Sequence, residues 1–297
     1  LDEIERADYD VFKGRVHVSF ARKLWLAAGA FMKCRVPGNP AHRVPMQDRR
    51  SEYFKRFVWC CARRVMRRKF HNVLLWNGRV LESASAKSPV IIFSNHSSWW
   101  DAFADHLIER VFHLNHYSLV DDRTLQTQGW LKKIGAMAID LTSARGAAAG
   151  LRTARQFLQA PAVDGRYPAL MMFPQGRMVP AWKRPFGFQG GLAWLKKNVP
   201  QAVLIPLARR YEFLKEERPQ ILLRFGPALR DVPPGDAPTA WLEERLDETM
   251  RALEHDIETS DFGGARVILQ GGWSLNKKWE WFKRCLTGKT KGFSPYN

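Results

Sequence analysis

Val90-Ile91-Ile92-Phe93-Ser94-Asn95-His96-Ser97-Ser98-Trp99-Trp100-Asp101 is the stretch from which the fold is read. Four apolar residues, too few for a buried helix, run into a polar turn, and a helix-like pattern then opens at Asp101. A short apolar run bounded by turn residues and followed by a longer helical period reads as a buried strand feeding a helix. The same alternation recurs downstream. Apolar runs fall at 137–141, 169–173, 202–207 and 220–225, with helix-like stretches at 147–158, 191–197 and 239–254. Repetition of strand and helix predicts an α/β layer fold with a mixed, largely parallel sheet flanked by helices. No internal repeat at a solenoid period occurs.

The α/β domain is expected over residues 71–255, after a helical flank over 1–70 and before a basic aromatic tail over 256–297. In the first flank Phe54, Phe57, Val58, Cys61 and Val65 fall at helical spacing among Lys55, Arg56, Arg63, Arg64, Arg67, Arg68 and Lys69. That is a basic amphipathic helix, either facing the core with a solvated basic side or lying on a membrane surface or a binding partner. Pro37, Gly38, Pro40 and Pro45 predict a loop upstream of it. In the tail Leu275, Trp279, Phe282 and Leu286 share a helical face ringed by Lys277, Lys278, Lys283 and Arg284, a combination suited to a lipid headgroup layer.

The whole chain of 297 residues carries 47 Lys+Arg against 29 Asp+Glu, a formal charge of +18. With 45% hydrophobic and 26% charged residues it is neither disordered, collagenous nor of low complexity. Four Cys are too few for a disulfide framework in a chain of this length, which fits a reducing compartment. The longest wholly apolar stretch, residues 24–32, falls far short of the roughly 20 residues a spanning helix needs. The acidic start (Asp2, Glu3, Glu5) lacks the basic region of a signal peptide, and the opening at Leu1 rather than Met leaves room for an upstream piece. Without a span, the charge points to nucleic acid, an anionic membrane face or an acidic soluble partner.

Familiar chemical motifs fail first. There is no G-x-G-x-x-G, and Gly288-Lys289-Thr290 has Lys283 where a P-loop needs Gly. Cys60 and Cys61 are adjacent, Cys34 and Cys285 stand alone, and His113 and His116 lie in no H-E-x-x-H frame, so no metal site is expected. The G-x-S-x-G of serine hydrolases is missing as well.

What remains is the turn carrying His96, at the end of a strand, where α/β sheets bind their ligands. Asp101 follows His96 by five residues, about 140° around an ideal helix, so the two meet only if His96 lies in the turn before the helix. In that arrangement the carboxylate holds one imidazole nitrogen and leaves the other to accept a proton. A histidine so oriented is a general base, worth roughly 100- to 10,000-fold in rate. Lacking a nucleophilic Ser or Cys motif, its simplest task is to deprotonate an external hydroxyl. The plainer alternative is a satisfied turn histidine beside an N-capping Asp101. A second polar turn, Phe173-Pro174-Gln175-Gly176-Arg177, closes a later strand at the same sheet edge.

At these residues the chain resembles the glycerolipid acyltransferase superfamily, typified by 1-acylglycerol-3-phosphate acyltransferase. The family's catalytic Asn-His-x-x-x-x-Asp is matched by Asn95, His96 and Asp101. Its Gly-x-x-x-Ile-Asp-Arg is matched at Gly135, Ile139 and Asp140, its Phe-Pro-Glu-Gly-Thr-Arg at Phe173, Pro174 and Gly176, and its Pro-bearing apolar strand at 203–207 with Pro206. Order and spacing agree over roughly residues 85–230, about half the chain. The resemblance implies that His96 deprotonates an acceptor hydroxyl as its oxygen attacks the thioester of acyl-CoA or an acyl-carrier protein, with Asp101 holding the ring and nearby backbone N–H groups stabilising the oxyanion. It implies no cofactor beyond that acyl donor, no metal and no covalent intermediate. Asn95, Gly135 and Pro206 would then be structural at the site, and Phe173 to Arg177 together with Arg145 would bind the acceptor.

The departures from the family bear on the acceptor. Arginines held to grip an acceptor phosphate are replaced by Leu141 and Met178, and the Glu of the third block is Gln175. Neither Leu nor Met supplies the bidentate fork that suits phosphate. Either Arg145 and Arg177 rebuild that site, or the acceptor carries no phosphate at its reacting end, as in a glycolipid. The second is expected. A binding-only protein remains the competing class, because nucleic-acid binders also combine cations with aromatics. Clustering of the charge in the flanks argues instead for an anionic leaflet, met peripherally from the cytoplasmic side, with no nucleic-acid partner. Trp99, Trp100, Trp182, Phe186 and Phe188 are candidates to line the acyl or acceptor groove.

Overall fold

The computed structural model describes residues 52–233, 237–272 and 275–286. Most of the expected 1–70 flank, including residues 24–32, the Pro37 to Pro45 loop and Cys34, lies outside the described residues, as does the end of the tail. The described residues form one compact unit.

In chain order the elements are α1 (Glu52–Lys69), β1 (Asn72–Trp76), α2 (Gly78–Ser85), β2 (Val90–Ser94), α3 (Asp101–Phe112), β3 (Asn115–Asp121) and α4 (Asp122–Thr127). After a 3-10 turn at Gly129–Ile134 come β4 (Ala136–Ile139), α5 (Ala144–Leu158), β5 (Pro168–Met172), α6 (Gly191–Asn198), β6 (Val203–Glu212), β7 (Gln220–Phe225), α7 (Pro238–Glu258), β8 (Arg266–Gln270) and α8 (Leu275–Leu286). The strands make one eight-stranded sheet in the order β4-β3-β5-β2-β6-β7-β1-β8. Its pairs are parallel except β6 with β7 and β1 with β8. The α/β class and the mixed, mostly parallel sheet expected from the sequence are those observed.

Strand periodicity builds two cores. Along β2, Ile91 and Phe93 enter the cluster covered by α5, α6 and α7, whereas Val90 and Ile92 enter the one beneath α1, α2 and α3. Both faces are covered, which is why β2 is apolar without alternation and buried throughout.

Several expectations need correction. The sheet runs past residue 255, because β8 pairs antiparallel with β1; as an edge strand with a solvated face it carries too few apolar residues to declare itself. Strands β1 and β3 were not expected either, and in β3 polar Asn115, Ser118 and Asp121 break the apolar run. Strand β4 ends at Ile139, leaving Asp140 and Leu141 in the following turn, and β6 continues to Glu212. The stripe expected to face the core of α1 is rotated. Ala62, Met66 and Lys55 are buried while Phe57 is exposed, since Lys55 pairs with buried Glu109 of α3 at 2.5 Å.

Among the described residues no helix is long and apolar enough to cross a membrane.

Candidate active site

The sheet's alternation brings the site together. Leu207 of β6 faces the α3 side, so Arg209 and Tyr211 two and four residues on face it too, as does Ser94 after Ile92 on β2. Helix α3 begins there, and its Asp101 and Asp105, one turn apart, point back at the sheet and are buried.

His96 sits in the turn before α3, and its Nδ1 lies 2.7 Å from Oδ2 of Asp101. The same oxygen accepts the backbone N–H groups of Ser97 at 2.9 Å and Ser98 at 3.0 Å, and Oδ1 accepts the Tyr211 hydroxyl at 2.5 Å. Asp101 thus ties down the turn ahead of its helix rather than capping the helix itself. A carboxylate with this donor set fixes the imidazole with a proton on Nδ1 and the lone pair on Nε2. The Asp101 side chain is 0% exposed and that of His96 25%, so the carboxylate is dry while part of the imidazole is open. Nε2 has no hydrogen-bond partner among the described residues.

Charge at this end is balanced internally. Burial alone would raise the Asp101 pKa, but the hydrogen bond from His96, the Arg209 charge and the Tyr211 hydroxyl outweigh it and hold the carboxyl below its ordinary value. Burial, reinforced by the Asp101 charge, pushes Tyr211 well above the usual phenol range, so its hydroxyl remains a donor. Arg209 is fully buried. It donates to Ser94 Oγ at 2.7 Å, to the Asp101 carbonyl at 3.0 Å and to the Asp105 carboxylate. At Asp105 burial dominates over Arg209 and raises the pKa.

Asn95 extends the sheet with its side chain. Its Nδ2 donates to the Arg209 carbonyl at 3.1 Å, and its Oδ1 accepts the Arg209 N–H at 3.0 Å. This is a ladder rung beyond the last β2–β6 backbone pair, Ser94 with Leu207. Pro206, buried opposite Phe93, accepts from Gly226 N–H at 2.9 Å. Gly135 is not at the site. It precedes β4, three strands from β2, and is Gly because its φ is +105° and a Cβ there would stand 2.8 Å from the His116 carbonyl oxygen.

The turn after β5 clamps His96. The Phe173 ring stacks on the imidazole with centroids 4.3 Å apart and planes 19° apart. Gln175 Oε1 accepts the His96 N–H at 2.6 Å, Gln175 Nε2 donates to the Phe186 carbonyl at 3.3 Å, and the His96 carbonyl accepts Val179 N–H at 2.8 Å. Phe173 and Gln175, expected to touch an acceptor, therefore position His96, and Pro174 is buried with Gln175. An amide suits this place because one end must accept and the other donate. Phe186 packs in the core beside Phe188, and Trp100 packs on Phe70.

Gly176 (φ +67°) and Arg177 are exposed, as is Arg145 in the first turn of α5. Neither arginine side chain has a partner among the described residues. Asp140 braces the neighbouring turn by accepting Thr142 N–H at 2.8 Å and the Ser143 hydroxyl at 2.9 Å. Leu141 Cδ1 lies 3.8 Å from where a Cβ on Gly176 would stand, so the turns after β4 and β5 meet. Their apolar side chains face solvent: Leu141 is 41% exposed, Met178 51%, and Trp99 next to the His96 turn 55%. The amides of His96, Ser97, Ser98, Gly176 and Val179 are engaged, whereas those of Trp99, Gln175, Arg177 and Met178 have no hydrogen bond among the described residues.

Arg209, Tyr211 and Asp105 are the residues that sequence reading missed. An Arg-Arg-Tyr-Glu ending reads as the exposed end of a strand, and only extending the two-residue alternation of β6 by two more steps would have turned Arg209 and Tyr211 inward. No group of three or more His, Cys, Asp or Glu among the described residues is arranged to hold a metal ion.

No protein-family model and no curated protein matches the chain. Among solved structures it is similar to the Legionella pneumophila ATPase DotB, with 10% identity and a TM-score of 0.30 over 71% of this chain. The chain spans 59% of the length of that structure, and a likeness of this size carries no argument about fold or function.

Proposed function

We propose that this chain has a glycerolipid-acyltransferase-like fold and moves a fatty acyl group from acyl-CoA or an acyl-carrier protein to a hydroxyl of a membrane lipid. The observation that carries the reading is the open His96 ring held at Nδ1 by a buried, fully hydrogen-bonded Asp101. Nε2 removes the proton of the acceptor hydroxyl while its oxygen attacks the thioester carbonyl. The tetrahedral oxyanion then collapses, the C–S bond breaks, and the imidazolium returns the proton to the departing thiolate. The unengaged amides of the two turns beside His96, those of Trp99, Gln175, Arg177 and Met178, are the backbone donors available to receive the oxyanion.

The acceptor is an unphosphorylated lipid such as a glycolipid. Exposed Leu141 and Met178 support this, because apolar side chains occupy the turns where a phosphate would need guanidinium forks. Exposed, unpaired Arg145 and Arg177 favour lysophosphatidate as the second reading. The protein works peripherally on the cytoplasmic face of an anionic leaflet, with no nucleic-acid partner; the exposed Trp279, Trp281 and Phe282 of basic helix α8 support the membrane reading.

The test incubates purified protein with radiolabelled acyl-CoA or acyl-carrier protein and a panel of lysophospholipids and glycolipids, alongside His96→Gln. Transfer to glycolipid that vanishes in His96→Gln is expected. Labelling of lysophosphatidate alone, with a raised KM in Arg177→Ala, would establish the second reading, and no transfer to any acceptor would overturn the proposal.

A further inference from the structure

A groove separate from His96 lies on the other side of α3. It holds about 430 Å³ between α1, α3 and the edge strand β8. Arg63 and Arg67, one turn apart on α1, and Arg110 in the last turn of α3 border it, while Trp59, Leu107 and Val267 supply apolar wall. All three arginine side chains are exposed, and none has a carboxylate partner among the described residues. Arg184, Arg210, Arg224 and Arg251 elsewhere each meet one. Three cations converging on one groove repel one another until an anion enters, and the apolar wall favours an anion carrying hydrocarbon.

From these residues we infer that the groove seats the phosphate headgroup of an anionic phospholipid, docking the protein on its leaflet away from the catalytic turn. The inference rests on the membrane-surface reading above and adds to it a defined contact. Phosphate oxygens take the guanidinium forks of Arg63, Arg67 and Arg110, and the glycerol and first methylenes lie on Trp59 and Val267. Surroundings argue for a bilayer as the source rather than a soluble anion. Helix α1 exposes Tyr53 and Phe57, and Val267 is half exposed. The chain leading into α8, with its exposed tryptophans, is tied to the groove by Gly272 N–H donating to the Arg67 carbonyl at 2.8 Å.

The test is cosedimentation of the full chain with phosphatidylglycerol or phosphatidylcholine vesicles, at an ionic strength of about 0.1 M where only near charges count. The triple variant Arg63→Gln, Arg67→Gln, Arg110→Gln is compared with a charge-matched control, Arg152→Gln, Arg166→Gln, Arg230→Gln, whose side chains are equally exposed. Each basic side chain at an anionic surface is worth about fivefold, so the groove variant should lose on the order of 100-fold in binding to phosphatidylglycerol. The control should lose about fivefold or less, and both should melt as the parent does. Equal losses in the two variants would show unspecific charge attraction and overturn the groove while sparing the membrane reading. Failure of the parent to bind any vesicle overturns both. Loss of binding to soluble CoA, with vesicle binding retained, would assign the groove to the acyl donor and overturn the proposal.

Discussion

Tyr211, near the end of β6, donates its hydroxyl to Oδ1 of Asp101 at 2.5 Å, on the carboxylate whose other oxygen holds His96. The proposed general base is therefore oriented by a side chain beyond the stretch of β6 in which the sequence marked Pro206. Tyr211→Phe should leave Asp101 ionised but one donor short. We expect a fall of about tenfold in kcat with KM little changed, and a loss of roughly 1 kcal/mol in urea unfolding. An unaltered kcat would reduce Tyr211 to packing.

Asp101→Asn keeps the shape of the site and removes the charge that fixes the ring. By analogy with other carboxylate-oriented histidines, kcat should drop by about 1,000-fold or more in the acyl-transfer assay, with an unchanged circular dichroism spectrum. Retention of more than about a tenth of the activity would mean that His96 does not depend on its partner.

Gln175→Glu tests the clamp. The carboxylate still accepts from His96 N–H but can no longer donate to the Phe186 carbonyl, and it is buried. A loss of about 1–3 kcal/mol is expected from chemical unfolding. A more stable variant would contradict the amide's double role.

Acid stability follows from the carboxylates. Asp101 and Glu109 are both held below their ordinary values, at Glu109 because its hydrogen bonds with His106 and His116 and the nearby Lys55 charge outweigh the larger burial penalty. A depressed native pKa means that the unfolded chain binds more protons. The stabilisation is therefore complete above about pH 5 and is lost as the pH falls through about 4 and below. Melting temperatures from pH 7 to pH 3 should decline most steeply at the acid end, and Glu109→Gln should flatten that limb. A flat profile in the parent would refute the linkage.

How far the sequence discloses this molecule depends on where each residue lies. Central strands such as β2 are apolar on both faces and declare themselves, whereas β3 and β8 mix polar residues into short runs; β1 carries the same apolar signal at 73–76 and was missed. The His96–Asp101 pair was legible because five residues of spacing and one turn suffice to bring the groups together. Arg209 and Tyr211 reach Asp101 across more than 100 residues, and nothing local marks a buried arginine. On α1 a lysine holds a buried position because its partner Glu109 lies on another helix, and hydropathy alone rotated the buried stripe to the wrong side.

The pairing of Asn95 with the backbone of Arg209 has a temporal consequence. While the chain is being made, His96 and Asp101 emerge early, but the strand that receives the Asn95 amide and carries the phenol follows more than 100 residues later. Loop closure over that distance is slow compared with local helix formation. A nascent chain that stops short of residue 212 thus holds His96 without the framework that aims it, and the arrangement proposed for catalysis should arrive in one late step, when β6 docks along β2.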